Sequence, residues 1–251
     1  MLPILLSIPH GGMRQPPELA GRVCLSQEEL FDDSDAYTRE IYDLGGEVIR
    51  VVSTEIARAF VDVNREPHDR PPANPDGVIK SATCYGHRIY DEGAEPGDEL
   101  VVELLERYYH PYHRALKQAA KDRRVKLALD CHSMATEAPL IAPDRGRQRP
   151  LFCLSNADGL TCPKDLLENI QHAVADAFEC ELAAVRLNQP FKGGFITRAH
   201  GRGKVPWVQV EMNRSLYLDP TWFDRETLVA EPQRLQQLRE GFRAALNALG
   251  L

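Results

Sequence analysis

The stretch ILLSIPHGG, residues 4–12, sets the reading of the whole chain. Residues 4–8 are apolar apart from Ser7, which suits a strand covered on both faces rather than one with a wet side. A proline, a histidine and two glycines follow at once. Gly11 and Gly12 mark a tight turn, or they let the backbone approach a ligand closely.

Working outward, similar runs recur at 46–52 (GEVIRVV), 57–63 (ARAFVDV), 125–131 (VKLALDC), 150–154 (PLFCL) and 205–212 (VPWVQVEM). All are short, most are rich in Val, Ile and Leu, and each is predicted as a strand. Helical patterns separate them. Residues 26–45 begin with Ser26 as N-cap and Glu29 in the capping-box position, and stop at Gly45–Gly46. Residues 97–122 carry a long apolar stripe interrupted by Pro111, where a kink or local unwinding is expected. Residues 163–179 and 231–249 complete the set. The alternation predicts an α/β fold with a central, mostly parallel sheet and helices on both faces, in one domain spanning 1–251.

The hydrophobic content of 43% over 251 residues is enough for one sizeable core. A formal net charge of -7 argues against a nucleic-acid binder that relies on phosphate attraction, while leaving room for convergent arginines that take an anionic small molecule. The opening MLPILLSIPHGG lacks the basic start of a signal peptide, and no apolar run is long enough to span a bilayer. None of the six cysteines forms a CxxC pair, so reduced thiols in a cytoplasmic protein are expected.

In sheets of this class ligands sit beyond the carboxyl ends of the strands. Four of those ends are unusually polar. Strand 4–8 leads to His10; strand 57–63 leads to Asp62, Asn64 and Arg65; strand 125–131 leads to Asp130, His132 and Ser133; strand 205–212 leads to Glu211, Asn213 and Arg214. Side by side, these ends bring together two histidines, several carboxylates and two arginines. Two histidines with a carboxylate and one open position form a common catalytic zinc set, and Asp130 is placed to support His132 from behind. Each residue also has a structural reading, as a hydrogen-bonded histidine or a turn acid. Cys131 falls on the opposite side of its strand and reads as core. His110 and His113 share a helical face at a spacing that permits a metal pair, though the tyrosines around them favour packing.

The blocks SIPHGG (7–12), VDVNREP (61–67), PDGVIKSATCYGHRIYDE (75–92), PYHRAL (111–116), LDCHSM (129–134), NQPFKGGFITRAHG (188–201) and VQVEMNRSLYL (208–218) together resemble the N-formylglutamate amidohydrolase family. The resemblance implies a zinc-dependent hydrolase with a fold akin to the zinc carboxypeptidases and aspartoacylases. It implies cleavage of N-formyl-L-glutamate to formate and glutamate, at the end of one route of histidine degradation. In that wider group a first zinc histidine follows the first strand, as His10 does. An Asn-Arg pair binds substrate, matching Asn64-Arg65. A later zinc histidine sits in Asp-x-His, matching Asp130-Cys131-His132, and a late strand supplies the glutamate base, matching Glu211. The chain departs from the group at Met13, where the His-x-x-Glu motif would place an acidic ligand. Asp35 is the candidate replacement, with Asp32 and Asp33 as competitors.

The implied chemistry assigns the metal to His10, Asp35 and His132, proton transfer to Glu211, and oxyanion stabilisation to the zinc with Arg65. A substrate with two carboxylates suits arginine forks, with Arg65, Arg198 and Arg214 ahead of Asn64 and Arg88. Lys192 and His200 either reach substrate or stay solvated. Two other readings remain open: a deacylase of another N-acyl amino acid or a peptidase, and a non-catalytic binder of anionic metabolites.

Overall fold

The computed structural model describes residues 1–139 and 141–251. Strand β1 (Leu2–Ile8) takes up the opening apolar run. It lies between β2 (Val48–Ser53) and β3 (Leu127–Met134), parallel to both. The sheet continues outward through β4 (Phe152–Ser155), β5 (Val185–Leu187) and β6 (Trp207–Asn213) in the order β2-β1-β3-β6-β4-β5. β4 runs antiparallel to β6 and every other pairing is parallel, so the sheet is mixed but mostly parallel. Strands Phe223–Asp224 and Val229–Ala230 form a separate small hairpin.

The helices are α1 (Gln27–Asp33), α2 (Thr38–Tyr42), α3 (Asp98–Leu104), α4 (His110–Ala119), α5 (Lys164–Ala177), α6 (Phe195–His200), α7 (Ser215–Leu218) and α8 (Pro232–Ala248). Two apolar cores result, one on each face of the sheet. Ile4, Leu6, Ile8, Leu127, Leu129 and Cys131 join α2, α5 and α8 in the first. Leu5, Ala128 and Trp207 join α3 and α4 in the second. The two-residue period of a strand therefore puts Asp130 and His132 on the side opposite Cys131, which is core as the sequence indicates. On β6 the same period groups Gln209, Glu211 and Asn213 against Val208, Val210 and Met212.

Three expectations change. Residues 57–63 are not a strand: the amides of Phe60 and Val61 both donate to the Ala57 carbonyl, at 3.0 and 3.2 Å. The run is apolar because Ala57, Ala59, Phe60, Val61 and Val63 fill the second core, and its backbone bonds are shared between turns on Ala57 and contacts of the Ala57 and Asp62 amides with the Arg14 and Val78 carbonyls. Helix 26–45 keeps its Ser26–Glu29 capping box but breaks between α1 and α2, where Tyr37 adopts a left-handed φ of 64°. The unwinding expected at Pro111 occurs one turn earlier, as a π-helical turn over Leu105–Tyr109. That wider turn relieves the clash between the proline ring and the preceding turn of helix.

His110 and His113 do not pair. His113 is buried, with Nε2 at 2.9 Å from the Val63 carbonyl and Nδ1 at 2.9 Å from His200 Nε2. Burial, with the His200 charge adding, pushes the His113 imidazole down to about 4. An unfolded histidine titrates near 6.5, so between these values the unfolded chain binds the extra proton. Stability is therefore expected to fall as pH drops from about 6.5 to about 4. Urea midpoints across that range should show a slope shallower by up to one proton in His113→Phe; an unchanged slope would remove His113 from the account.

Candidate active site

The chain passes from β1 through α1 and α2 to β2 on one side, then crosses back through α3 and α4 to β3 on the other side of β1. The carboxyl ends of β1 and β3 thus lie at the point where the strand order reverses, where open α/β sheets place ligands. His10 stands just beyond β1. Its two glycines serve packing: a side chain on Gly12 would collide with the Glu55 backbone, and one on Gly11 would press on Thr38 and Arg39. His132 is carried on β3. Asp35 arrives from the break between α1 and α2, where its amide donates to the His10 carbonyl at 3.1 Å. A continuous helix would not have delivered it there.

These three side chains converge in a buried site. His10 Nδ1 and His132 Nδ1 are 3.2 Å apart. Asp35 Oδ2 lies 3.1 Å from His132 Nδ1 and 3.4 Å from His10 Nδ1. The far nitrogen of each ring sits on a carboxylate, His10 Nε2 at 2.7 Å from Asp62 Oδ1 and His132 Nε2 at 3.2 Å from Asp130 Oδ2. Asp130 is itself held by the hydroxyls of Ser7 and Thr197, at 3.0 and 3.1 Å. A histidine that gives its Nε2 proton to a carboxylate keeps a lone pair on Nδ1. Two such lone pairs face each other across 3.2 Å beside a carboxylate oxygen, an arrangement that a cation between them would satisfy. Two imidazole nitrogens and one carboxylate are a donor set that fits zinc and leaves a coordination position free.

Of the three acids weighed from the sequence, Asp35 is the one that joins the histidines among the described residues. Asp32 pairs with Arg225 at 2.6 Å, and Asp33 accepts the Cys84 amide at 2.8 Å and faces Lys80. Burial opposes ionisation of Asp35, but when protons rather than a cation sit on the two Nδ1 atoms, hydrogen bonds from His10 and His132 together with the Arg214 charge hold its carboxyl well below the usual range. Asp62 is likewise held well below its usual value against burial by His10, Arg58 and Lys80.

A cavity of about 400 Å³ opens over this centre. Glu211 lines it from β6, in register with His132. Burial pushes the Glu211 carboxyl up and the Asp35 charge adds to this, while His132 opposes it. Asn64, Arg65 and Arg214 also line the cavity. Much of their hydrogen-bonding capacity is already engaged. Arg65 grips Asp76 through Nε to the carbonyl at 2.7 Å and Nη2 to the carboxylate at 2.5 Å. Asn64 Oδ1 accepts the Ile196 amide at 2.8 Å. Arg214 donates to Ser133 Oγ, the Asp32 carbonyl and Asp35 Oδ1, at 3.0, 2.9 and 3.0 Å, so it orients Asp35. Arg198 and Arg88 do not join them. Arg198 is exposed and donates to the Gly193 carbonyl at 2.8 Å, and Arg88 donates to the Tyr90 carbonyl at 3.3 Å. Lys192 lines the cavity, whereas His200 is stacked on His113 behind it.

Sequence reading missed two cationic walls. Arg58 lies 3.5 Å from His10 Nδ1, 3.7 Å from Asp35 Oδ1 and 3.6 Å from Asp62 Oδ2. Reading 57–63 as a strand hid it; read as turns, Arg58 and Asp62 fall four residues apart and face the same centre. Arg149 is clamped by Asp144 at 3.0 and 3.1 Å and sits 4.8 Å over the Phe191 ring, with no local pattern to announce it.

The family model for N-formylglutamate amidohydrolase matches residues 2–218, from β1 through α7. The chain belongs to this family. It is 28% identical over 229 residues to an N-formylglutamate deformylase of Pseudomonas putida, covering 88% of this chain and 83% of that one. It is 29% identical over 228 residues to an N-formylglutamate deformylase of Pseudomonas aeruginosa, covering 87% and 83%. The fold is shared with the crystal structure of N-formylglutamate amidohydrolase from Ralstonia eutropha, at a TM-score of 0.77 and 22% identity over 99% of this chain and 93% of that one. This member of the family is thus a hydrolase with a His-Asp-His site suited to a metal ion, acting on a small molecule. Among the described residues no helix is long and apolar enough to cross a membrane.

Proposed function

We propose that the protein is a zinc-dependent amidohydrolase that cleaves N-formyl-L-glutamate to formate and glutamate. The observation that carries this reading is the His10–Asp35–His132 cluster with Glu211 in the same arginine-walled cavity. His10, Asp35 and His132 would hold the zinc, which when bound supplies a Lewis acid and makes water acidic enough to react near neutral pH.

The chain's own residues do the rest. Glu211 takes a proton from the water that attacks the formyl carbon and passes it to the departing amine, so the C–N bond breaks without expelling an amide anion. Arg58, 3.5 Å from His10 Nδ1, would join Arg65 in stabilising the oxygen on which negative charge develops. Arg65, Arg149 and Arg214 line the walls and offer the two substrate carboxylates positive charge and the guanidinium hydrogens not already given to Asp76, Asp144 and Asp35, while Asn64 Nδ2 stands 3.3 Å from His132 Nε2. A reducing compartment, the cytoplasm, suits the six free thiols.

The test is metal analysis together with formate release from N-formyl-L-glutamate, before and after chelation. The expected result is about one zinc per chain, activity lost on chelation and restored by zinc. Metal with no formate from this substrate, but hydrolysis of another N-acyl amino acid, would overturn the substrate and keep the hydrolase. Anion binding without any hydrolysis would overturn both.

A further inference from the structure

Gln209 lies on β6 two residues before Glu211, on the same face of the sheet and 4% exposed. Its amide can point only one way. Oε1 accepts the Gly194 amide at 2.5 Å, so Nε2 is turned to Glu211 and donates to its Oε1 at 2.6 Å. Swapping the two ends would set two donors and two acceptors against each other.

The far end of this bridge is firmly held. Gly194 begins the turn into α6, and a side chain there would strike the Asn64 amide. Asn64 Oδ1 accepts the Ile196 amide at 2.8 Å, and Thr197 Oγ1 donates to Asp130 Oδ2 at 3.1 Å. The first turn of α6 is therefore pinned from three sides by Gln209, Asn64 and Asp130. Asp130 in turn supports His132 and Gln209 holds Glu211, so one turn of backbone sets the placement of a metal-site histidine and of the carboxylate beside it.

We propose that Gln209 is a positioning residue: it occupies one oxygen of Glu211, fixes the carboxylate's rotation, and leaves Oε2 as the oxygen that exchanges the proton. This rests on Glu211 being the base. A charged carboxylate held by a buried amide is a strong, directional contact. Losing it lets the carboxylate turn, and a displacement of about 1 Å costs up to about a hundredfold in rate.

The experiment compares wild type, Gln209→Met and Gln209→Glu, assayed on the N-acyl amino acid that wild type hydrolyses best. Gln209→Met removes both bonds at similar length. Gln209→Glu keeps the acceptor for Gly194 and replaces the donor, which preserves the test if the methionine variant folds poorly. The expected result is kcat lower by about 10- to 100-fold in both, KM within about threefold and metal content unchanged. A crystal structure of either variant should show the Glu211 carboxylate rotated. Wild-type kcat in a metal-loaded variant, or a raised KM with kcat intact, would overturn the proposal. Glu211→Gln separates the two ideas: full activity there removes the base itself. Loss there with unimpaired Gln209 variants removes only the positioning role.

Discussion

Glu211→Gln is expected to lower turnover by about 10²- to 10⁴-fold while leaving the metal site filled and the fold intact. The substitution keeps the shape of the side chain and an oxygen for the Gln209 amide, now 2.6 Å away. It removes only the capacity to take and return a proton. Glu211 suits that task because burial raises its carboxyl, so a proton taken from water is held long enough to be delivered to the amine. The sign follows. The ionised form is the base, so kcat/KM should rise with pH through a value above that of an ordinary glutamate, and this acid limb should disappear in Glu211→Gln. Retention of more than about a tenth of wild-type turnover would fall outside the range of general base catalysis and exclude the role.

What the sequence disclosed follows from which interactions are local. Strand periodicity separates Cys131 from Asp130 and His132 without any tertiary information, and the structure puts the cysteine in the core and the histidine in the site. The partner of a strand-end histidine was legible where the carboxylate lies on the same strand, as Asp130 does for His132. It was not legible where it lies far along the chain, as Asp62 does for His10. Asp35 was visible only as one of three acids, because nothing local marks the interruption of the helix at Tyr37. Arg58 was lost because an apolar run reports burial and not backbone conformation. The segment joins no strand of the sheet; it turns on the Ala57 carbonyl and bonds the Arg14 and Val78 carbonyls. The cavity walls drew on residues as distant as Arg65 and Arg149, whose meeting depends on the whole fold.

Asp35→Ala should be the most damaging change in the molecule, through two separable effects. The first is loss of the metal. Without Asp35 Oδ2 the donor set falls to two histidines, and affinity should drop by more than the roughly 10- to 100-fold expected for removing a supporting group such as Asp62. The second appears in metal-free protein. Asp35 Oδ1 accepts Arg214 at 3.0 Å and lies 3.7 Å from Arg58, with the carboxylate almost wholly buried. Removing it leaves two guanidinium groups packed beside two imidazoles without that counter-charge, a defect that typically costs about 3–5 kcal/mol. The pH dependence distinguishes this from simple loss of packing. Because the folded carboxyl is held below its unfolded value, its contribution is complete above about pH 4 and fades as pH falls through the depressed value. Denaturant midpoints of metal-free wild type and Asp35→Ala should therefore differ most near neutral pH and converge in strong acid. A gap that stays constant down to the lowest pH would mean that Asp35 stabilises by shape, and the arginines beside it would then need another counter-charge.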